Sequence, residues 1–136
     1  MFCLIGAGPI ELHSATLSVF KHMPYEIRFL VALLFTGLIE VPVLFILVKY
    51  AFKLNDIKAG KILFVGVMAS VLTLPYVWFV IPPYIHSKYY IHVAELFAFV
   101  AETIIYNRLL GTTIVVSLTL SFLANALSFL AGWLLF

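Results

Sequence analysis

The stretch HVAELFAFVAETIIYNRLLG, His92 to Gly111, sets two carboxylic acids, Glu95 and Glu102, in an otherwise apolar run, and LIEVPVLF sets a third, Glu40, in another. A carboxylate held in hydrocarbon costs on the order of 2.5–3.5 kcal/mol. Acids kept there must be paired, protonated or bound to something. Their chemistry is then cation binding, proton relay or capture of a polar solute. Alternatively they are structural acids, protonated and bonded to Thr, Ser or Asn on neighbouring helices, and only fix those helices together.

Spacing supports a shared face. Seven residues at ~100° each place Glu95 and Glu102 within ~20° of one another and ~10.5 Å apart along a helix axis. Lys88, Phe99 and Tyr106 fall on or near that stripe, His92 lies at its edge, and Val93, Phe97, Val100 and Ile104 form an apolar back suited to lipid. Glu40 follows Thr36 and Gly37 and precedes Pro42, whose missing N–H frees a carbonyl for other partners. Gly66, Ser70 and Thr73 make one stripe, and Ser117, Ser121, Ala124, Ser128 and Gly132 another, with Asn125 beside it. Small faces of this kind pack helices closely, within a bundle or at a dimer seam. Counted by depth, Glu40 and Glu102 share one layer, with Glu95, Thr73 and Asn125 in a shallower one. Glu40, Glu95, Glu102, Thr73, Asn125 and Tyr106 form the expected ion- or substrate-binding set.

The elements that must position these residues follow from composition. The chain has 136 residues, 65% hydrophobic and 10% charged, against roughly 25% charged in a soluble domain. This is the composition of an integral membrane protein. Four apolar runs, about 27–48, 62–81, 89–109 and 113–135, are each long enough to cross a bilayer as a helix. The expected fold class is all-α, a polytopic bundle of four transmembrane helices over 27–136. Residues 1–26 lack the basic start of a signal peptide and read as an interfacial or re-entrant segment. Pro82 and Pro83 stop the second helix, and Gly111 makes a tight turn between the third and fourth.

Five of the eight basic residues, Lys49, Lys53, Lys58, Lys61 and Arg108, lie on one side of such a bundle. The positive-inside rule then places both termini outside. YVWFVIPPY and the later YY would form an outer aromatic belt. A net charge of +2 gives no reason to expect nucleic acid as a partner. The expected partners are the lipid bilayer and further copies of the chain, or the other subunits of a membrane complex in which it would be non-catalytic. One cysteine, Cys3, excludes an internal disulfide and any C-x-x-C motif. The absence of glutamine hints at a thermophile.

His92 and Glu95, at i and i+3, are half of a metal site in reversed Glu-x-x-His order. With the other carboxylates they would suit a hard divalent cation, Mg²⁺ or Mn²⁺, in a membrane enzyme acting on a lipid or lipid-linked substrate. As ordinary residues, His92 and His86 sit at the interface. H-E-x-x-H, G-x-S-x-G and G-x-G-x-x-G are all absent. No aspartate falls in a span, which argues against an intramembrane aspartyl protease. An acid in the first of four spans resembles the small multidrug transporters, dimers built around such a glutamate, although LIEVPVLF departs from their motif. The set EVPVLF, TLPYVWF, E-x6-E and NALS resembles a family of small four-span prokaryotic membrane proteins. That likeness covers most of 27–136 and implies a shared architecture, with no activity to carry over.

Overall fold

The computed structural model describes residues 22–85 and 87–135, with backbone alone for 87–88 and 133–135. The expected N-terminal segment, up to residue 21, and His86 lie outside the described residues, as does the Lys88 side chain. Among the described residues the chain is helical, without strands, and forms a membrane-protein bundle of four helices. They are α1 (Tyr25–Ile46, continued by the π turn Leu47–Ala51), α2 (Ala59–Pro75, continued by Tyr76–Val80), α3 (Ser87–Ile105, continued by Tyr106–Leu110) and α4 (Ile114–Leu135). Three of them, α1, α2 and α4, are long and apolar enough to cross a membrane. The helix that carries Glu95 and Glu102 is the other one.

Sequence neighbours pack side by side, and α1 also packs against α4, which closes the four helices into a ring. Short connections force this arrangement. The α3–α4 turn is set by Gly111, whose φ of +74° is left-handed and costs glycine nothing. The α1–α2 loop is held by Lys49, whose Nζ donates to the carbonyls of Asn55 at 3.1 Å and Ile57 at 2.6 Å. α1 and α2 approach closely at Gly66. A methyl group there would meet Leu44 Cδ2 and Val41 Cγ2, each at 3.2 Å.

Two apolar clusters fill the ring. One, beside the α1–α2 loop and the Gly111 turn, contains Leu44, Val48, Ile62, Val65, Ala69, Tyr106, Leu110 and Leu120. The other, towards the opposite end, contains Ala32, Leu74, Val77, Trp78 and Ala94. There Tyr25 Oη donates to the Trp78 carbonyl at 2.6 Å, and Tyr90 Oη donates to that of Val77. Both bonds satisfy carbonyls orphaned at the end of α2, just ahead of Pro82 and Pro83. Tyr25, Phe29, Trp78 and Phe79 pack at the same end, three of the ring pairs edge to face and Tyr25–Trp78 tilted, with centroids 4.9–6.0 Å apart.

One expectation about faces changes and another narrows to packing within the bundle. Phe97 does not belong to the lipid-facing back of α3: it packs against the second cluster, its ring 5.7 Å from that of Tyr76. Val100 and Ile104 are exposed as expected, and Leu96 joins them in place of Phe97. Ala94, buried in the same cluster, stands beside Phe97 on the inward side of α3. The small-residue face of α4 is packing within the bundle, since Ser117, Ser121, Ala124 and Ser128 are all fully buried in one chain.

Candidate functional site

Between the two apolar clusters lies a polar layer. Glu40 on α1 is 2% exposed and Glu102 on α3 is 1% exposed. Ser70 Oγ, from α2, donates to Glu40 Oε2 at 2.9 Å, and Ser128 Oγ, from α4, donates to Oε1 at 2.8 Å. Around Glu102, the Asn125 amide donates to Oε2, Ser121 Oγ lies 3.4 Å from the same oxygen, and Thr73 Oγ1 lies 3.5 Å from Oε1. Each acid is thus bonded by side chains from two other helices. All of these bonding groups are neutral hydroxyls or amides.

A hydroxyl has one proton to give, and the competing distances indicate where each goes. Ser70 and Ser128 sit closer to Glu40 than to their alternative carbonyls, Gly66 at 3.4 Å and Asn125 at 3.3 Å. Thr73 and Ser121 are the reverse. Both lie 2.9 Å from a carbonyl, those of Ala69 and Phe99, and further from Glu102. Glu40 therefore receives two hydroxyl protons. Glu102 receives the amide of Asn125 and faces oxygen lone pairs from Thr73 and Ser121.

A cavity of about 20 Å³ opens between the acids, lined by Thr36, Glu40, Glu95, Glu102, Thr73 and Asn125, with Leu74, Val77, Ala94 and Ala98 as its apolar wall. A space of this size holds about one water molecule. It extends from the acid layer towards the Trp78 end, while the cluster around Leu44, Ala69, Tyr106 and Leu120 closes the other side. Tyr106 is fully buried.

Thr36 is 3% exposed, and its Oγ1 has no hydrogen-bond partner among the described residues. Buried helix hydroxyls elsewhere in the chain do have one. Thr73 and Thr103 bond the carbonyl four residues back, at 2.9 and 2.7 Å.

The expected set is thereby distributed as follows. Glu40, Glu95, Glu102, Thr73 and Asn125 all line the one cavity, and Tyr106 lies beneath it. The two expected layers merge, because Thr73 and Asn125 reach Glu102 itself. Glu95 and Asn125 also border a separate open groove of about 880 Å³ between α3 and α4, walled by Phe99, Phe122 and Phe129. His92 lines that groove and not the cavity. Among the described residues, no three His, Cys, Asp or Glu side chains are grouped to hold a metal ion. Reading from sequence passed over Ser70, Ser121 and Ser128 as ligands of the acids. Their signal was present, since each stands on a small-residue stripe that must face the bundle interior. Comparison with protein-family models, with curated proteins and with solved structures finds no match.

Proposed function

We propose that the chain binds and moves a small cation, or exchanges it for protons, at the Glu40–Glu102 pair. One observation carries this reading: two buried carboxyls from different helices line one cavity, and the side chains that bond them are all neutral. Two ionised carboxylates side by side in a low dielectric repel strongly. The hydrogen-bond pattern fits an ionised Glu40, given two hydroxyl protons, beside a protonated Glu102, whose own proton has the Thr73 lone pair to meet. Such a pair carries one negative charge, which a cation or a second proton neutralises.

Glu95, on the cavity wall and at the edge of the α3–α4 groove, is the outward access point. Both chain termini lie outside, on the argument that five of the eight basic residues gather at the opposite end. Transport proceeds in a homo-oligomer, because a single chain encloses only about 20 Å³ at the acids. The test is flux in proteoliposomes loaded with a pH-sensitive dye. An inward sodium or potassium gradient drives a lumenal pH change with the wild type, and Glu102→Gln abolishes it while the purified variant keeps its unfolding temperature. A variant that carries the same flux as wild type refutes the assignment.

A further inference from the structure

Resting on that reading, we propose that Thr36, Glu40 and Glu102 form a binding site for one dehydrated alkali cation, with Thr36 Oγ1 as its neutral ligand.

Three observations converge on it. Thr36 Oγ1 is a buried oxygen that bonds nothing among the described residues, on a side chain that lines the cavity. A buried hydroxyl left unpaired costs roughly 1–3 kcal/mol, and its neighbours avoid this by bonding back to their own helix. Thr36 is also one turn before Glu40 on α1, so both point to the same side of the helix. The cation then touches α1 through two side chains and α3 through a third.

Size and charge select the ligand class. A cavity of about 20 Å³ has room for one water-sized body. Magnesium dehydrates reluctantly and keeps several waters, and calcium takes 6–8 oxygens. A space for one water-sized body has no room for the waters that magnesium keeps or for the larger oxygen shell of calcium. A bare alkali ion fits. A water molecule also fits and satisfies Thr36, but it leaves the charge of Glu40 unbalanced among neutral donors, whereas a monovalent cation balances it. The apolar cluster of Leu44, Ala69, Tyr106 and Leu120 closes the cavity floor, so the ion enters and leaves on the Glu95 side in this conformation.

The test uses the full chain in detergent and radioactive sodium as the probe, with choline chloride holding ionic strength constant. The expected result is saturable binding near one sodium per chain. Thr36→Val weakens it by roughly tenfold or more, and Thr36→Ser restores it. Because the Thr36 hydroxyl bonds nothing among the described residues and its burial is costly, Thr36→Val unfolds at or above the wild-type temperature in sodium-free buffer. Sodium, but not choline, also slows carbodiimide modification of Glu102 in the wild type, a readout that needs no variant to fold. Three results overturn the inference. If Thr36→Val binds as wild type while Glu40→Gln does not bind, an ion sits on the acids without Thr36, and the proposed function stands. If wild type binds no sodium and shows no protection, yet Glu102 still exchanges protons, the cavity holds water only and the site serves protons. If neither sodium nor protons exchange, both readings fall.

Discussion

Ser128 Oγ donates to Glu40 Oε1 at 2.8 Å, which ties the fourth helix to the first across the interior of the bundle. Three residues earlier on the same face, Asn125 donates to Glu102 on the third helix. One turn of α4 therefore touches both acids. Removing the Ser128 hydroxyl by Ser128→Ala leaves one of Glu40's oxygens without its donor, at a cost of about 0.6–1.7 kcal/mol, the range for interhelical hydrogen bonds in membranes. Ser121→Ala also removes one interhelical bond, to the Phe99 carbonyl at 2.9 Å, and should cost a similar amount, but it leaves Glu102 its Asn125 donor. Reversible unfolding in mixed micelles measures both, and the assignment of those protons predicts that Ser128→Ala alone shifts the Glu40 carboxyl bands in the infrared; an equal shift of the Glu102 bands in Ser121→Ala would contradict it.

Replacing each acid by its amide separates their roles. Glutamine mimics a protonated carboxyl in shape and in having one donor end. Glu102→Gln therefore leaves stability close to wild type. Glu40→Gln presents an amide N–H₂ to either Ser70 or Ser128, both of which donate to that carboxyl, and lowers stability by about 1–3 kcal/mol. Infrared difference spectra give a second check. The protonated-carboxyl band of the wild type disappears in Glu102→Gln and persists in Glu40→Gln. Loss of the band in Glu40→Gln alone would reverse which acid holds the proton.

The helices were legible because apolar runs of membrane length have one way to satisfy their backbone, and the proline pair and Gly111 mark where they stop. Depth counting brought Glu40 and Glu102 into one layer for the same reason, since residue number converts to height in a straight helix. Rotation was less legible. Placing Phe97 on the lipid side assumed that the glutamates alone orient α3, whereas Ala94 and the Tyr76 ring also decide it. Hydrogen-bond partners were the least legible part. That Ser70 and Ser128 serve Glu40 while Thr73 and Asn125 serve Glu102 depends on offsets between helices of an ångström or two, which no periodicity encodes. The unpartnered Thr36 hydroxyl is likewise visible only once its neighbours are in place.

Gly66 offers a test of the α1–α2 seam. A methyl group would approach Leu44 Cδ2 and Val41 Cγ2 to 3.2 Å, both at the ends of side chains that can shift by a few tenths of an ångström. Gly66→Ala should be near neutral, because a gain in helix propensity of up to about 1 kcal/mol offsets that shift. Gly66→Val adds branches with nowhere to go and should cost about 3 kcal/mol by overpacking. It should also weaken the Ser70–Glu40 contact, one turn further along α2. Thermal unfolding of both variants decides this, and a tolerated valine would mean that the two helices are not held at this distance.

Lys49 makes a prediction about the loop. Its ammonium group donates to two carbonyls, Asn55 at 3.1 Å and Ile57 at 2.6 Å, and so folds the segment after α1 back on the helix end. Lys49→Met keeps most of the aliphatic stem and removes both bonds, for a loss of about 1–2 kcal/mol of local stability. Amide hydrogen exchange across 52–58 should then rise by roughly tenfold. Exchange in the layer of Glu40 and Glu102 should stay unchanged, because Leu44 and Val48 seal the bundle between the loop and the acids. A variant whose exchange rises throughout α1 would show instead that Lys49 supports the whole helix and that the loop and the acid layer open together.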